Sequence, residues 1–510
     1  MLLRLLYLYL ITIIPLSLAS KTIVVDDQKS FDEMQSSIIS AVKSGDLDVD
    51  VIIAPGTYLF SSYHLNLSNL NYPNASISIR GNQATVISSV DCHGQKKAPN
   101  EYSITYLKDD LSLIDGWSPS FQLSANVEIV DEAKKLCRIQ LPTGYKLKKR
   151  PQYVNLTKWY LNAIYKVSKV KNNFIYFEVD ELKDGHNRLL AKYDINNDYG
   201  YGRLHPRCQL YYGTPNGYKY KCINSQFLTM GYSKLKEFSI SGLNFLGNAG
   251  GGSLLVTNDC KFENMSVNEC SFRNIQDVIF YVIKTDNVTF VGNEVTDCNG
   301  AVLISENQSR HTRVTNNTIS NIGLRMNNVK AVQCVSDDFY ISDNTFCNFS
   351  YAAIASGLGQ NNTKHKCSGV IENNEIYMDT PYYSNASLHT LMDGGAIYIG
   401  TVTDGINIRN NHIHDIAGVK DNRGIFCDDG TKNVTIEDNV IQRIQNSYCI
   451  DLREVTAVSK KVPDHNTGNT CRNNLTDGDI RFFIKDKTCR EEGNTRIGTK
   501  GTNSMKAYNN

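Results

Sequence analysis

The sequence predicts an all-β chain: a right-handed parallel β-helix, closed at its N-terminal end by a capping helix and interrupted by an inserted β-rich module. Three observations lead there. A short asparagine-centred motif recurs through the second half of the chain, the repeats carry no helical periodicity, and one amphipathic helix stands near the start.

The motif is apolar, two residues, Asn, one residue, apolar. It reads FVGNEV at Asn293, VTNNTI at Asn317, ISDNTF at Asn344, IENNEI at Asn374, IRNNHI at Asn411 and IEDNVI at Asn439, with CRNNLT at Asn474 as a degraded copy. A unit of about two dozen residues, lengthened by insertions, marks a solenoid. Short β-rich runs within each unit select a parallel β-helix over helical repeats. One Asn per coil can bond both its own turn and the next, so a ladder of stacked amides is expected.

In chain order, residues 1–20 carry one arginine, Arg4, then an apolar stretch through Leu16 and small residues Ser17 and Ala19, as a secretory signal peptide does. Residues 21–92 are expected to hold the cap and the first coils. Here SFDEMQSSIISAVKSG reads as a helix near 30–44, with Ser30 and Glu33 as a capping box, Met34, Ile38 and Val42 on one face and Gly45 at its end. Such a helix covers the open bore that a solenoid must close. Residues 93–235 break the rhythm with both tryptophans, Trp117 and Trp159, and a tyrosine-rich run, and read as an inserted module. The β-helix resumes over 236–485, and 486–510 form a tail.

Charge and cysteine usage narrow the partners. Lys+Arg total 53 against 52 Asp+Glu, with no long basic run, so neither nucleic acid nor an anionic membrane surface is expected as a partner. A polysaccharide or oligosaccharide is easier to accommodate, by a chain that acts as a monomer and leaves the membrane once its signal is removed. Fourteen cysteines include no C-x-x-C pair, which argues for buried thiols as much as for bridges and against a structural zinc site. No metal is assigned. Sequons at Asn264, Asn287, Asn385 and Asn433 matter only in a host that glycosylates them.

Candidate site residues follow from aligning the strand after each Asn: GAVLISE, YAAIASG, GAIYIGT, RGIFCDD and NSYCIDL. Alternation then puts Val302, Ala353, Ile397, Ile425 and Tyr448 inside, together with Ile304, Ala355, Ile399, Cys427 and Ile450. Leu303, Ile354, Tyr398, Phe426 and Cys449 face outward. Two places further on come Ser305, Ser356, Gly400, Asp428 and Asp451. Asp428 and Asp451 are thus expected side by side on successive coils, with Asp429 at the turn before Gly430. Two carboxylates that close would split into an acid and a base or nucleophile. The competing reading makes Asp429 and Gly430 an ordinary turn and pairs Asp428 and Asp451 with Arg423 and Arg453. Tyr398 and Phe426 form an aromatic floor, and Arg423, Arg453, His412 and His414 are further substrate-binding candidates. Asp379, His389 and Asp393 are expected nearby, on the long loop before Gly395.

The runs DGGAIYIGT, NNHIHDI and GIFCDDGTKNVTIEDNVI resemble those of right-handed parallel β-helix glycoside hydrolases in the pectate-lyase-like superfamily, a group with α-fucosidase/xylanase and β-xylosidase members. The likeness spans residues 236–480. It implies that an aspartate before the GAIY-like strand and one in the DDG-like turn form the catalytic pair, here Asp393 with Asp428 or Asp429. It also implies a β-sandwich insert among the early coils.

Three functions are therefore in view. The first is a secreted glycoside hydrolase with a two-carboxylate mechanism, which requires no cofactor. The second is a polysaccharide lyase, which needs a Lys, Arg or His base such as Lys420, Arg423, Arg453 or His412, and admits Ca²⁺ on Asp428, Asp429 and Asp451. The third is a glycan-binding solenoid without chemistry.

Overall fold

A computed structural model of the protein describes residues 20–60, 63–88, 114–115, 123–124, 127–141, 147, 150–151, 153–158, 161–179, 207–211, 226–248, 253–275, 277–298, 300–323, 329–357, 367–384, 393–400, 403–418, 422–428, 430–445, 447–453, 467–482 and 487–497. The chain winds as a parallel β-helix, each coil contributing a strand to each of three faces. In one coil these are Leu303–Glu306, Arg313–Thr315 and Thr318–Ile322. In a later coil they are Arg423–Cys427, Val434–Glu437 and Val440–Ile444. Each strand pairs in parallel with its counterpart one coil on, as Arg313–Thr315 does with Tyr340–Ser342. Parallel crossovers of L-residues take the right-handed sense.

The asparagine ladder is present. Each Nδ2 donates to the next Oδ1 at 2.9–3.1 Å from Asn293 through Asn317, Asn344, Asn374, Asn411, Asn439 and Asn474. One further rung reaches Asn494, where Glu491 and Arg496 stand in the motif's two apolar places. The residue before each rung explains why the turn forms. Gly292, Asn316, Asp343, Asn373, Asn410, Asp438 and Asn473 all lie in the left-handed region, φ 54–64°, which Gly, Asn and Asp enter at least cost.

The cap differs in detail from expectation. Two helices, Gln28–Asp32 and Met34–Ser44, meet at Glu33, and the capping box joins Asp27 to Ser30 instead of Ser30 to Glu33. Asp27 Oδ1 accepts from the Ser30 amide at 2.7 Å, and Ser30 Oγ accepts from the Asp27 amide at 3.1 Å. Met34, Ile38 and Val42 are buried as predicted, and Gly45 closes the helix at φ 95°.

Among the described residues of the insert, eight strands between Ile114 and Tyr211 form one antiparallel sheet. Its C-terminal boundary is earlier than expected: Gln226–Gly231 already pairs in parallel with solenoid strands. Trp117 and Trp159 lie outside the described residues. At the other end, Arg490–Glu492 and Thr495–Arg496 pair with preceding coils, so the solenoid runs past 485 into the expected tail. The expected signal peptide lies outside the described residues up to residue 19, and Ser20 begins the first strand. Cys137, Cys260, Cys270, Cys298, Cys334, Cys367, Cys427, Cys449 and Cys471 are buried thiols. No helix among the described residues is long and apolar enough to cross a membrane.

Candidate active site

The candidate aspartates lie on the face formed by Ala352–Ser356, Gly395–Ile399, Arg423–Cys427 and Ile450–Leu452. Its register corrects the sequence alignment. Leu303, Val332, Ile354, Ile397, Ile425 and Ile450 form one column, and Ile304, Gln333, Ala355, Tyr398, Phe426, Asp451 and Arg481 form the next. Leu303, Ile354 and Cys449, expected outside, are in the core, whereas Ile304 and Ala355, expected inside, stand in the Tyr398 column. Tyr448 packs against the Arg481 guanidinium at 4.3 Å, apart from that core. The cause is a local break in alternation. Consecutive residues Val302–Leu303, Ala331–Val332, Ala353–Ile354, Ala396–Ile397 and Cys449–Ile450 all enter the core, so a period-two count holds at Ile397 and Ile425 but misplaces the column by a residue at Leu303 and Ile354 and further at Ile450.

Asp451 therefore stands beside Phe426, and Asp428 lies near Arg453. The two aspartates are not a like-charge pair. Asp451 is fully buried, its Oδ2 accepting from Arg423 Nε at 2.9 Å and its Oδ1 from Arg481 Nε at 2.6 Å. Arg481 Nη2 adds a second contact to Oδ2. With its oxygens engaged by guanidiniums, Asp451 is a structural anchor and suits neither a reacting carboxylate nor a Ca²⁺ ligand.

Asp428 and Asp393 are arranged differently. Tyr398 donates its phenol proton to Asp428 Oδ2 at 2.8 Å, and Arg453 Nε lies 3.7 Å from Asp428 Oδ1. The same guanidinium reaches Asp393 Oδ1 through Nη2 at 3.0 Å, where Arg423 Nη1 approaches at 3.3 Å. Asp393 precedes one strand of the face and Asp428 follows the next. Arg453 joins them, and both Arg453 and Arg423 cross the Phe426 ring, their guanidinium carbons 4.7 and 3.9 Å from its centre. Burial opposes the charge on Arg453, and the carboxylates around it, Asp428 first, outweigh that effect and raise its pKa.

Phe426 is wholly buried and sheathed by these two arginines, which leaves it no face for a sugar ring. Tyr398 is also nearly buried; burial, then Tyr351 and Asp428, push its pKa well above the usual phenol value. It remains a proton donor to Asp428. Asp429, Lys420 and His389 lie outside the described residues. Asp379 belongs to another corner of the coil, bonded to Asn348 at 2.9 Å. His412 and His414 are on a separate face, on the strand His412–Ile416, away from the aspartates. Burial and then His414 lower the His412 pKa.

The aligned motifs did not single out Lys330, Tyr351 and Arg481. Tyr351 donates to the Asp393 carbonyl at 2.9 Å and packs 5.6 Å from Tyr398. Lys330 Nζ sits 5.0 Å from the Tyr351 ring centre, and burial lowers its pKa to about 8. The strand Lys330–Cys334 pairs with Ala352–Ser356, and that register brings Lys330 beside Tyr351.

No family model and no curated protein matches the chain. Solved structures similar to it include an alginate lyase from Paenibacillus, at 14% identity and TM-score 0.37, covering 54% of this chain and 95% of that one. The A-module of the Azotobacter vinelandii mannuronan C-5 epimerase AlgE4 is 10% identical at TM-score 0.39, covering 94% and 98%. A DFA-IIIase from Arthrobacter chlorophenolicus is 10% identical at TM-score 0.32, covering 96% and 99%. Similarity at this level leaves the chemistry to be argued from the side chains themselves.

Proposed function

We propose that this chain cleaves glycosidic bonds of a polysaccharide or oligosaccharide by hydrolysis, with Asp393 and Asp428 as the reacting carboxylates. The observation that supports this is the meeting of two carboxylates from successive coils at one guanidinium, with a phenol donating to one of them. A hydrogen bond from Tyr398 favours Asp428 as an acceptor, which suits a base or nucleophile. Asp393, with 22% of its side chain exposed, is the second carboxylate of the pair. Their carboxyl separation with substrate bound would decide the stereochemistry: about 5–5.5 Å for retention, about 6.5–9.5 Å for inversion. All these groups come from one chain, so a monomer suffices, and the leader expected over 1–20 would export it.

A second reading, elimination from a uronate-containing glycan, is favoured by one observation. Lys330, its pKa lowered by burial to about 8, is suited to abstract a proton near neutral pH. Product analysis separates the two. Digests of pectic, xylan and alginate substrates that release reducing ends without unsaturated uronates support hydrolysis, and unsaturated products lost in Lys330→Met would establish elimination instead.

A further inference from the structure

The histidines that do not join the aspartates form a site of their own. On the strand His412–Ile416, Ile413 enters the core and His412 and His414 share the opposite face. The preceding coil brings Glu375 opposite His412 and Tyr377 opposite His414. Glu375 Oε1 lies 3.5 Å from His414 Nε2 and 4.0 Å from His412 Nδ1, and a ligand atom from each of the three residues falls within 4.8 Å of the others.

The orientation of His414 is set by its surroundings. Its Nδ1 lies 2.6 Å from Asp415 Oδ2, and Asp415 is held by Arg443 through Nε at 2.6 Å and Nη2 at 2.7 Å. Tyr377 stacks on the imidazole, with centroids 5.1 Å apart and planes inclined by 5°. When Nδ1 carries the proton toward Asp415, the lone pair is on Nε2. That nitrogen is buried, makes no hydrogen bond and faces Glu375. Glu375 and His412 keep 49% and 46% of their side chains exposed, which gives an ion a route in from solvent.

We propose that Glu375, His412 and His414 bind a divalent transition metal ion of the zinc class, on a face separate from the carboxylate–arginine cluster. Two imidazole nitrogens and one carboxylate oxygen select zinc, nickel or copper over calcium and magnesium, which prefer all-oxygen sites. Bonds of about 2.0–2.1 Å to such an ion require ligand atoms roughly 3.3 Å apart, so His414 and Glu375 are nearly placed and His412 needs a small rotation. Asp415 acts as the outer carboxylate that orients a ligating histidine.

Titration of the full-length, untagged, chelator-stripped protein with zinc chloride, followed by calorimetry and by competition with a chromogenic chelator, tests this. One equivalent should bind at micromolar metal or tighter, in the presence of millimolar magnesium and calcium. His414→Ala should abolish that binding, and Asp415→Asn, which removes no ligand, should weaken it about 10–100-fold. Zinc should also raise the melting temperature of the parent and leave that of His414→Ala unchanged. Glu375→Gln supplies a second variant if His414→Ala melts abnormally. Absence of saturable binding in the parent, or equal binding in His414→Ala and Glu375→Gln proteins with parental melting curves, overturns the proposal.

Discussion

At the residue scale, Asp428 and Asp451 are the same amino acid placed one coil apart with opposite consequences. Asp451 has its oxygens engaged by the buried Arg423 and the partly exposed Arg481, and removing it would leave the buried Arg423 with only its 3.3 Å contact to Asp393 as a counter-charge. Asp451→Ala should therefore destabilise the fold by about 3–5 kcal/mol, read from chemical denaturation. Asp428→Asn keeps its shape and its contact with Tyr398, so its melting temperature should stay near the parent's. Lys330 carries a pH signature. Its folded pKa of about 8 lies below the ordinary 10.5, so the unfolded chain binds more protons between those values and stability rises with pH across that window. Lys330→Met should be more stable than the parent below pH 8, with the margin narrowing toward pH 10.5; parallel denaturation curves across that range would contradict the burial argument. The DDG and GAIY motifs pointed to Asp428 and Asp393 as candidates. The pairing of Asp451 with Arg423 was legible as the competing reading of the sequence; its burial and its second partner, Arg481, were not, because they depend on a register that shifts by two residues at Tyr448–Ile450.

At the element scale, the asparagine rung and the strand break explain what sequence could and could not deliver. Each rung is a local motif, Gly/Asn/Asp followed by Asn, whose left-handed φ and amide bonding are set by adjacent residues, so it could be read directly. Asn344→Ala or Asn439→Ala should lower stability by about 1–3 kcal/mol, because neighbouring amide partners are left unsatisfied. Thermal melts would detect it, and unchanged midpoints for both would show the ladder to be dispensable. The break that sends two consecutive residues into the core leaves no such local mark, since both positions are apolar in most coils. Gly424 makes the break visible: a Cβ there would lie 2.5 Å from the Cys449 carbonyl and 2.6 Å from Ile441 Cγ2. Gly424→Ala should cost about 1–3 kcal/mol and, by shifting the strand that carries Asp428, reduce activity as well. A parental melting temperature in that variant would show that the coils can spread without loss.

At the scale of the whole molecule, the stack converts short-range chemistry into a site. Each coil buries its apolar residues against its neighbours, and the helix Met34–Ser44 packs Met34, Ile38 and Val42 into the same continuous core. Insertions between coils are tolerated because the loops connecting strands leave the ladder intact, which is why repeat spacings of 20 to 37 residues coexist with unbroken rungs. The cap and the repeat were legible because their periodicities are local. The insert boundary and the last coils were not, since Gln226–Gly231 and Arg490–Glu492 carry no complete motif and are recruited by pairing with strands already in place. This architecture brings Asp393 and Asp428 together from different coils, and the central claim is that they cleave a glycan there. The most direct measurement is the initial rate of reducing-end release from the pectic, xylan and alginate panel by the parent, Asp428→Asn and Asp393→Asn proteins, each first shown to melt like the parent. The account predicts cleavage of at least one substrate by the parent and a loss of several orders of magnitude in turnover in both variants. Parental rates in Asp428→Asn, or no cleavage by the parent across the panel, would contradict it.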